Sequence, residues 1–138
     1  MYAEDPHNKH RQIARTIYLL RTQRAIVDPL LGRLCGEPTW DILLDLYVAH
    51  VDHRGVSISS ACRAGGAAPT TGLRHLLRLE EEGLVKRRPH PDDGRSFGVY
   101  LSASGVDLMT RTMQRFLDVF ANLALDGAQG KKAAPSVT

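Results

Sequence analysis

The sequence predicts a mainly α-helical domain with a small β-hairpin, and three observations lead there. Apolar residues recur at helical spacing through 8–34, 39–50, 69–82 and 103–125. Strand-like runs are confined to 84–88 and 97–101, on either side of a loop at 89–95 that holds Pro89, Pro91 and Gly94. Gly36, Gly65, Gly66 and Gly83 punctuate the helical stretches.

At 138 residues the chain is expected to form one domain over 8–125, with a loose segment at 1–7 and a disordered tail at 126–138. A formal charge of +3 permits a nucleic-acid partner without requiring one. No apolar run approaches the roughly 18 residues of a membrane span, and residues 1–7 carry no apolar signal region, so a cytoplasmic protein with no membrane partner is expected. Cys35 and Cys62 make no disulfide framework and are expected to be reduced packing residues. His50, Asp52 and His53 have no further ligand at supporting spacing, so neither a metal nor any other cofactor is expected. No phosphate-cradling glycine loop, metalloprotease pair or nucleophile elbow is present, which argues against an enzyme.

The chain is organised around residues 57–101. A brief helical run ends near Arg63, a glycine-rich bend occupies 64–68, and a longer helix fills 69–82. The hairpin follows. Helix, bend, helix and hairpin in this order make a winged helix-turn-helix, a DNA-reading arrangement expected to occupy about 38–102. Pro69 suits the first position of the second helix and Gly83 the position just past its end. Leu73, Leu76, Leu77 and Leu79, with Leu84 beyond, supply an inward apolar stripe. Thr70, Thr71, Arg74, His75 and Arg78 fall on the opposite face. Short donors near a helix start with long cations behind them suit entry into a major groove. Glu80, Glu81 and Glu82 crowd the far end, where Arg78 and Glu82 can pair across one turn. Lys86 and Arg88 are placed to neutralise phosphate. The proline-stiffened loop carries Arg95 towards a minor groove, with Asp93 available to hold it by a bidentate pair.

The run Leu79-Glu80-Glu81-Glu82-Gly83-Leu84-Val85-Lys86-Arg87, then Pro91-Asp92-Asp93-Gly94-Arg95, then Val99-Tyr100-Leu101-Ser102-Ala103-Ser104-Gly105 resembles the MarR-type winged-helix transcription regulators. The resemblance spans about residues 11–125 and is most specific in the wing. It implies that Arg95 is the wing arginine, Asp93 its carboxylate partner, and Thr70, Thr71 and Arg74 the groove-facing residues. It also implies a small aromatic effector, held between dimerisation region and DNA-binding lobe near Trp40, Tyr47 and the first helix. The sequence departs from the family pattern at Pro69 and Gly72, where a serine and a better helix former are more usual.

The remaining elements follow from the same patterning. Ile13, Ile17, Leu20 and Val27 share one side of the first helix, and Asp28-Pro29 restarts it through Leu30, Leu31 and Leu34. Thr39 is placed to cap a central helix whose apolar face holds Trp40, Leu43, Leu44, Tyr47, Val48 and Val51, with Trp40 as a packing anchor. Ser102 caps the last helix, and Val106, Met109, Met113, Phe116, Leu117, Phe120 and Leu123 line one side of it. That stripe is long for the core left to cover. The N- and C-terminal helices are therefore expected to pair two copies of the chain. The expected function is a homodimer reading an inverted-repeat operator in double-stranded DNA, with half-sites roughly 34 Å apart. The alternative is a winged helix used as a protein-protein adaptor or anti-repressor.

Overall fold

The computed structural model describes the backbone of residues 6–27, 29–34, 36–90 and 93–129; within these, it does not describe the side chains of 6, 24–27, 29–30, 34, 37, 90, 93–96 and 123–129. Helices α1 (Pro6–Val27), α2 (Pro29–Leu34) and α3 (Glu37–Val51) lead to β1 (Val56–Ser57). Then come α4 (Ile58–Ala64), α5 (Pro69–Glu81), β2 (Val85–His90), β3 (Asp93–Leu101) and α6 (Ala103–Gln129). The architecture is the expected one, mostly helical with a small antiparallel sheet. Asp28, the expected cap of the second helical run, and Cys35 lie outside the described residues.

Three differences from the sequence reading concern the sheet and the last helix. The two-stranded hairpin is present as β2 and β3 and gains a third strand: β1 pairs with β3 through Val56 opposite Val99, giving the strand order β1-β3-β2. Two residues suffice for this because Val56 is buried and anchors the pair to the core. The strands also run further out than 84–88 and 97–101. β2 continues through Pro89 to His90, and the register shifts between Pro89 and His90, with His90 opposite Asp93. Proline has no N–H to give a ladder, so an irregularity beside it is the tolerated place for it. α6 extends to Gln129, beyond the expected end at 125.

The inner face of α3 is the centre of the core, with Ile42, Leu43, Leu46 and Ala49 buried. Val48 and Val51, expected on that face, stand 51% and 56% exposed. Trp40 anchors α3 to α6 by an edge-on contact with Phe116, the ring centres 6.1 Å apart, and Tyr47 adds a hydroxyl contact to Thr110 at 3.2 Å. Thr39 does not cap α3. The helix begins at Glu37, behind an extended Gly36 and with Pro38 in its first turn, which leaves Thr39 buried and free to bond elsewhere. At the far end His53 takes φ 54°, and the Arg54 N–H donates to the Ala49 carbonyl at 2.8 Å. This is a Schellman closure with histidine where glycine is usual.

α4 is capped by Ser57, whose hydroxyl accepts from the Ser60 N–H at 3.2 Å. α5 crosses it at Gly72. A Cβ at Gly72 would lie 2.0 Å from the Cys62 carbonyl oxygen, so the two helix backbones touch there. The sequence departure at Gly72 thus has a packing cause. α5 ends as expected, with Gly83 at φ 77° and the Leu84 N–H donating to the Leu79 carbonyl at 3.0 Å. Ser102 then ties this end to α6: its hydroxyl donates to the Gly83 carbonyl at 2.6 Å and accepts from the Gly105 N–H at 3.0 Å. Its own N–H donates to Leu84 at 2.9 Å.

Helix propensity alone predicts that Gly72→Ala stabilises the protein by about 1 kcal/mol. The contact with Cys62 reverses the sign. We expect a net loss of about 1–3 kcal/mol in denaturant unfolding, as for other overpacked sites. A stabilised variant would mean that α4 and α5 do not approach as described.

Candidate nucleic-acid interface

α5 buries Gly72, Leu76 and Leu79 and turns its other side outwards. On that side stand Thr70, Arg74 and Arg78, all exposed, with Thr71 at the margin. Leu73 and Leu77 were expected to point inwards and do not. They are 40% and 39% exposed, on the side shared with Thr70 and Arg74. The reason is the close crossing at Gly72: it centres the buried arc on 72, 76 and 79, and at about 100° per residue it leaves 73 and 77 outside.

His75 also departs from its expected position. It is half-buried, and its Nδ1 lies 3.1 Å from the Thr39 hydroxyl, so the ring braces α5 against the start of α3. A buried hydroxyl needs a partner, and His75 provides one to Thr39.

Two of the three glutamates at the end of α5 are paired within the fold. Glu80 takes a bidentate pair from Arg87 of β2, at 2.8 and 3.0 Å, and Glu82 pairs with Arg78 at 3.3 Å. The first of these was not anticipated. Gly83 reverses the chain, so a residue just inside the helix meets one three places into the strand, a signal that linear spacing does not display. The hydrogen bonding to Glu80, and secondarily the charge of that carboxylate, holds the Arg87 guanidinium proton more tightly than usual. At the other end Ala68 supplies no side-chain cap, and Pro69 has no N–H of its own. The Thr70 and Thr71 amides therefore lie in the first turn of α5, where the helix dipole favours an anion. Arg74 has no carboxylate partner among the described residues.

The strand cations divide between the faces of the wing. In the ladder, Arg87 stands opposite Val99 and points towards α5, whereas Lys86 stands opposite Tyr100 and Arg88 opposite Gly98 on the other face. The Arg88 guanidinium lies 4.3 Å from the centre of the Tyr100 ring. Arg88 is thus turned away from α5, because side chains alternate along a strand. The side chains of Asp93 and Arg95 lie outside the described residues; their backbone belongs to the outer part of β3. Among the described residues no three His, Cys, Asp or Glu side chains gather at metal-binding distance, and no helix is long and apolar enough to cross a membrane. Cys62 is buried, and burial pushes its thiol pKa up, opposite to what a reactive cysteine needs.

No protein-family model matches the sequence, and no curated protein matches it at sequence level. Solved structures match well in three dimensions. The MepR–DNA complex of S. aureus superposes with a TM-score of 0.62 at 19% identity, covering 88% of this chain and 93% of that one. The transcriptional regulator Tm0710 of Thermotoga maritima gives 0.64 at 17%, covering 91% and 82%. The heme sensor PefR of Streptococcus agalactiae, in complex with heme, gives 0.56 at 21%, covering 94% and 83%. Helices, sheet and their order thus agree over nearly the whole length: the chain has the winged helix-turn-helix fold of the MarR-type transcriptional regulators.

Proposed function

We propose that the protein is a sequence-specific DNA-binding transcription regulator that acts as a homodimer. The observation that carries this reading is the charge arrangement of α5. Glu80 and Glu82 are matched by Arg87 and Arg78, while its N-terminal turns present Thr70, Thr71 and an Arg74 with no carboxylate partner among the described residues. A phosphate fits the amides of the first turn, and a guanine edge fits the Arg74 guanidinium. Arg78 reaches backbone phosphate when it leaves Glu82, whereas Lys86 shares the wing face of Arg88 and is turned away from α5 with it. By the family resemblance, Arg95 with Asp93 as its carboxylate partner would take the minor groove. His75 positions the helix rather than reading DNA, and Arg88 faces elsewhere. The likeness in fold to a structure solved as a DNA complex supports this reading.

The dimer reading rests on apolar surface left open. Ile13, Ile17 and Tyr18 of α1 are 58%, 56% and 56% exposed, and Leu117 and Phe120 of α6 are 58% and 45% exposed. Within one chain α1 already packs on α6, joined by the Arg115 Nε donating to Gln23 at 2.6 Å. These side chains therefore form one surface that a second copy would cover, and two copies place two α5 helices on successive major grooves. A small aromatic effector between dimerisation region and DNA-binding lobe would act by preferring one spacing of those helices. Trp40 and Tyr47 contribute there as packed walls, since both already contact α6.

With a duplex selected from random DNA, Arg74→Ala is expected to weaken binding about 5- to 150-fold in fluorescence anisotropy and to relax preference at one base pair. Arg95→Ala is expected to weaken binding to all sequences and to flatten the salt dependence by about one unit of slope. Unchanged affinity in both variants would remove the DNA reading. Ile17→Asp combined with Leu117→Asp is expected to convert a dimer to a folded monomer in sedimentation equilibrium. A wild-type chain that sediments as a monomer would remove the dimer reading.

A further inference from the structure

A cleft of about 180 Å³ opens on the side of the molecule away from the Glu80–Arg87 pair, between the end of α3, the outer face of the wing and the first turns of α6. Its lining brings His50, Arg54 and Arg88 together with Leu46, Leu101 and Val106. Among the described residues that lining holds two arginines and no carboxylate. Neither arginine is ion-paired among the described residues. Arg88 lies against the Tyr100 ring at 4.3 Å, which spends one face of the guanidinium and leaves its N–H edge free. The backbone of Arg54 is set by the left-handed turn at His53 and by its bond to Ala49, which fixes where its side chain begins.

We propose that this cleft binds a small aliphatic carboxylate. Two guanidinium groups in one cleft suit a carboxylate, whose two oxygens can accept paired N–H bonds. Val106, with the edges of Leu46 and Leu101, gives an attached hydrocarbon chain a surface to cover, which an inorganic anion would not use. The space equals that of about six waters, so the ligand has about six or seven non-hydrogen atoms. When bound it joins the wing to the end of α3, two elements that contribute one arginine each. The site is separate from the groove-facing side of α5 and stands whether or not the chain binds DNA.

Isothermal titration calorimetry of the full chain with sodium pentanoate at about pH 7.5, where the acid is ionised, tests the assignment. Saturable binding at one site per chain is expected, with no binding of 1-pentanol, which has the chain without the charge. Arg88→Gln and Arg54→Gln are each expected to weaken pentanoate at least about tenfold, whereas Arg63→Gln on α4 leaves it unchanged. Both arginines are exposed, and thermal melts verify that the variants fold. In amide NMR, pentanoate is expected to shift Ala49, Tyr100 and Ala103. Absence of saturable binding, or binding indifferent to both arginines, overturns the proposal. Phosphate binding as tightly as pentanoate overturns the organic part of it.

Discussion

The helix-turn-helix depends on two backbones touching where Gly72 of α5 meets Cys62 of α4. Any side chain at that point would force the helices apart, so the missing Cβ sets both their distance and the rotation of α5 about its own axis. That rotation decides which residues face the core and which face outwards. A helix with Gly in its interior sacrifices about 1 kcal/mol of intrinsic stability relative to Ala. Here the loss is offset by close packing that carries Leu76 and Leu79 into contact with the core formed by α3.

The two ends of α5 are fixed by different means. At its start His75 reaches the Thr39 hydroxyl, so α3 steadies the first turns. At its end Gly83 turns the chain and Ser102 collects the freed carbonyl, linking α5, the wing and α6 through one hydroxyl. Gly105 permits this, since a Cβ there would lie 2.2 Å from the Leu84 carbonyl oxygen. α6, which also carries the open apolar side chains Leu117 and Phe120, is thus joined to the end of α5 by hydrogen bonds rather than by a loop alone.

Charge follows the same economy of position. The glutamates at the end of α5 oppose the helix dipole, which prefers cations there. Arg87 and Arg78 answer them from the adjacent strand and from one turn back. These pairs are exposed and add little to stability. Their consequence is electrostatic: Arg78 and Arg87 are engaged by glutamates while Arg74 is not, and strand alternation sends Arg88 to the opposite face of the wing. Neighbouring arginines thus serve different surfaces.

The sequence by itself determined the helices, the wing and their order. Periodicity, Pro69, Gly83 and Ser102 are local signals, and local hydrogen bonding is what they report. It also marked Thr70, Thr71, Arg74 and Arg78 as an outward set, because they lie along one arc of a helix. Only the tertiary structure decided the rest. Leu73 and Leu77 look like core by type, yet the crossing at Gly72 leaves no room for them inside. Thr39 looks like a cap, yet Gly36 and Pro38 start the helix earlier and leave Thr39 for His75. Arg88 looks like a phosphate ligand, yet its ladder position turns it to Tyr100. β1 has two residues, too few for any periodicity to register, and exists because β3 offers it an edge. In each case a partner distant in the chain supplied the contact, and a pattern read along the chain holds no information about where that partner will lie.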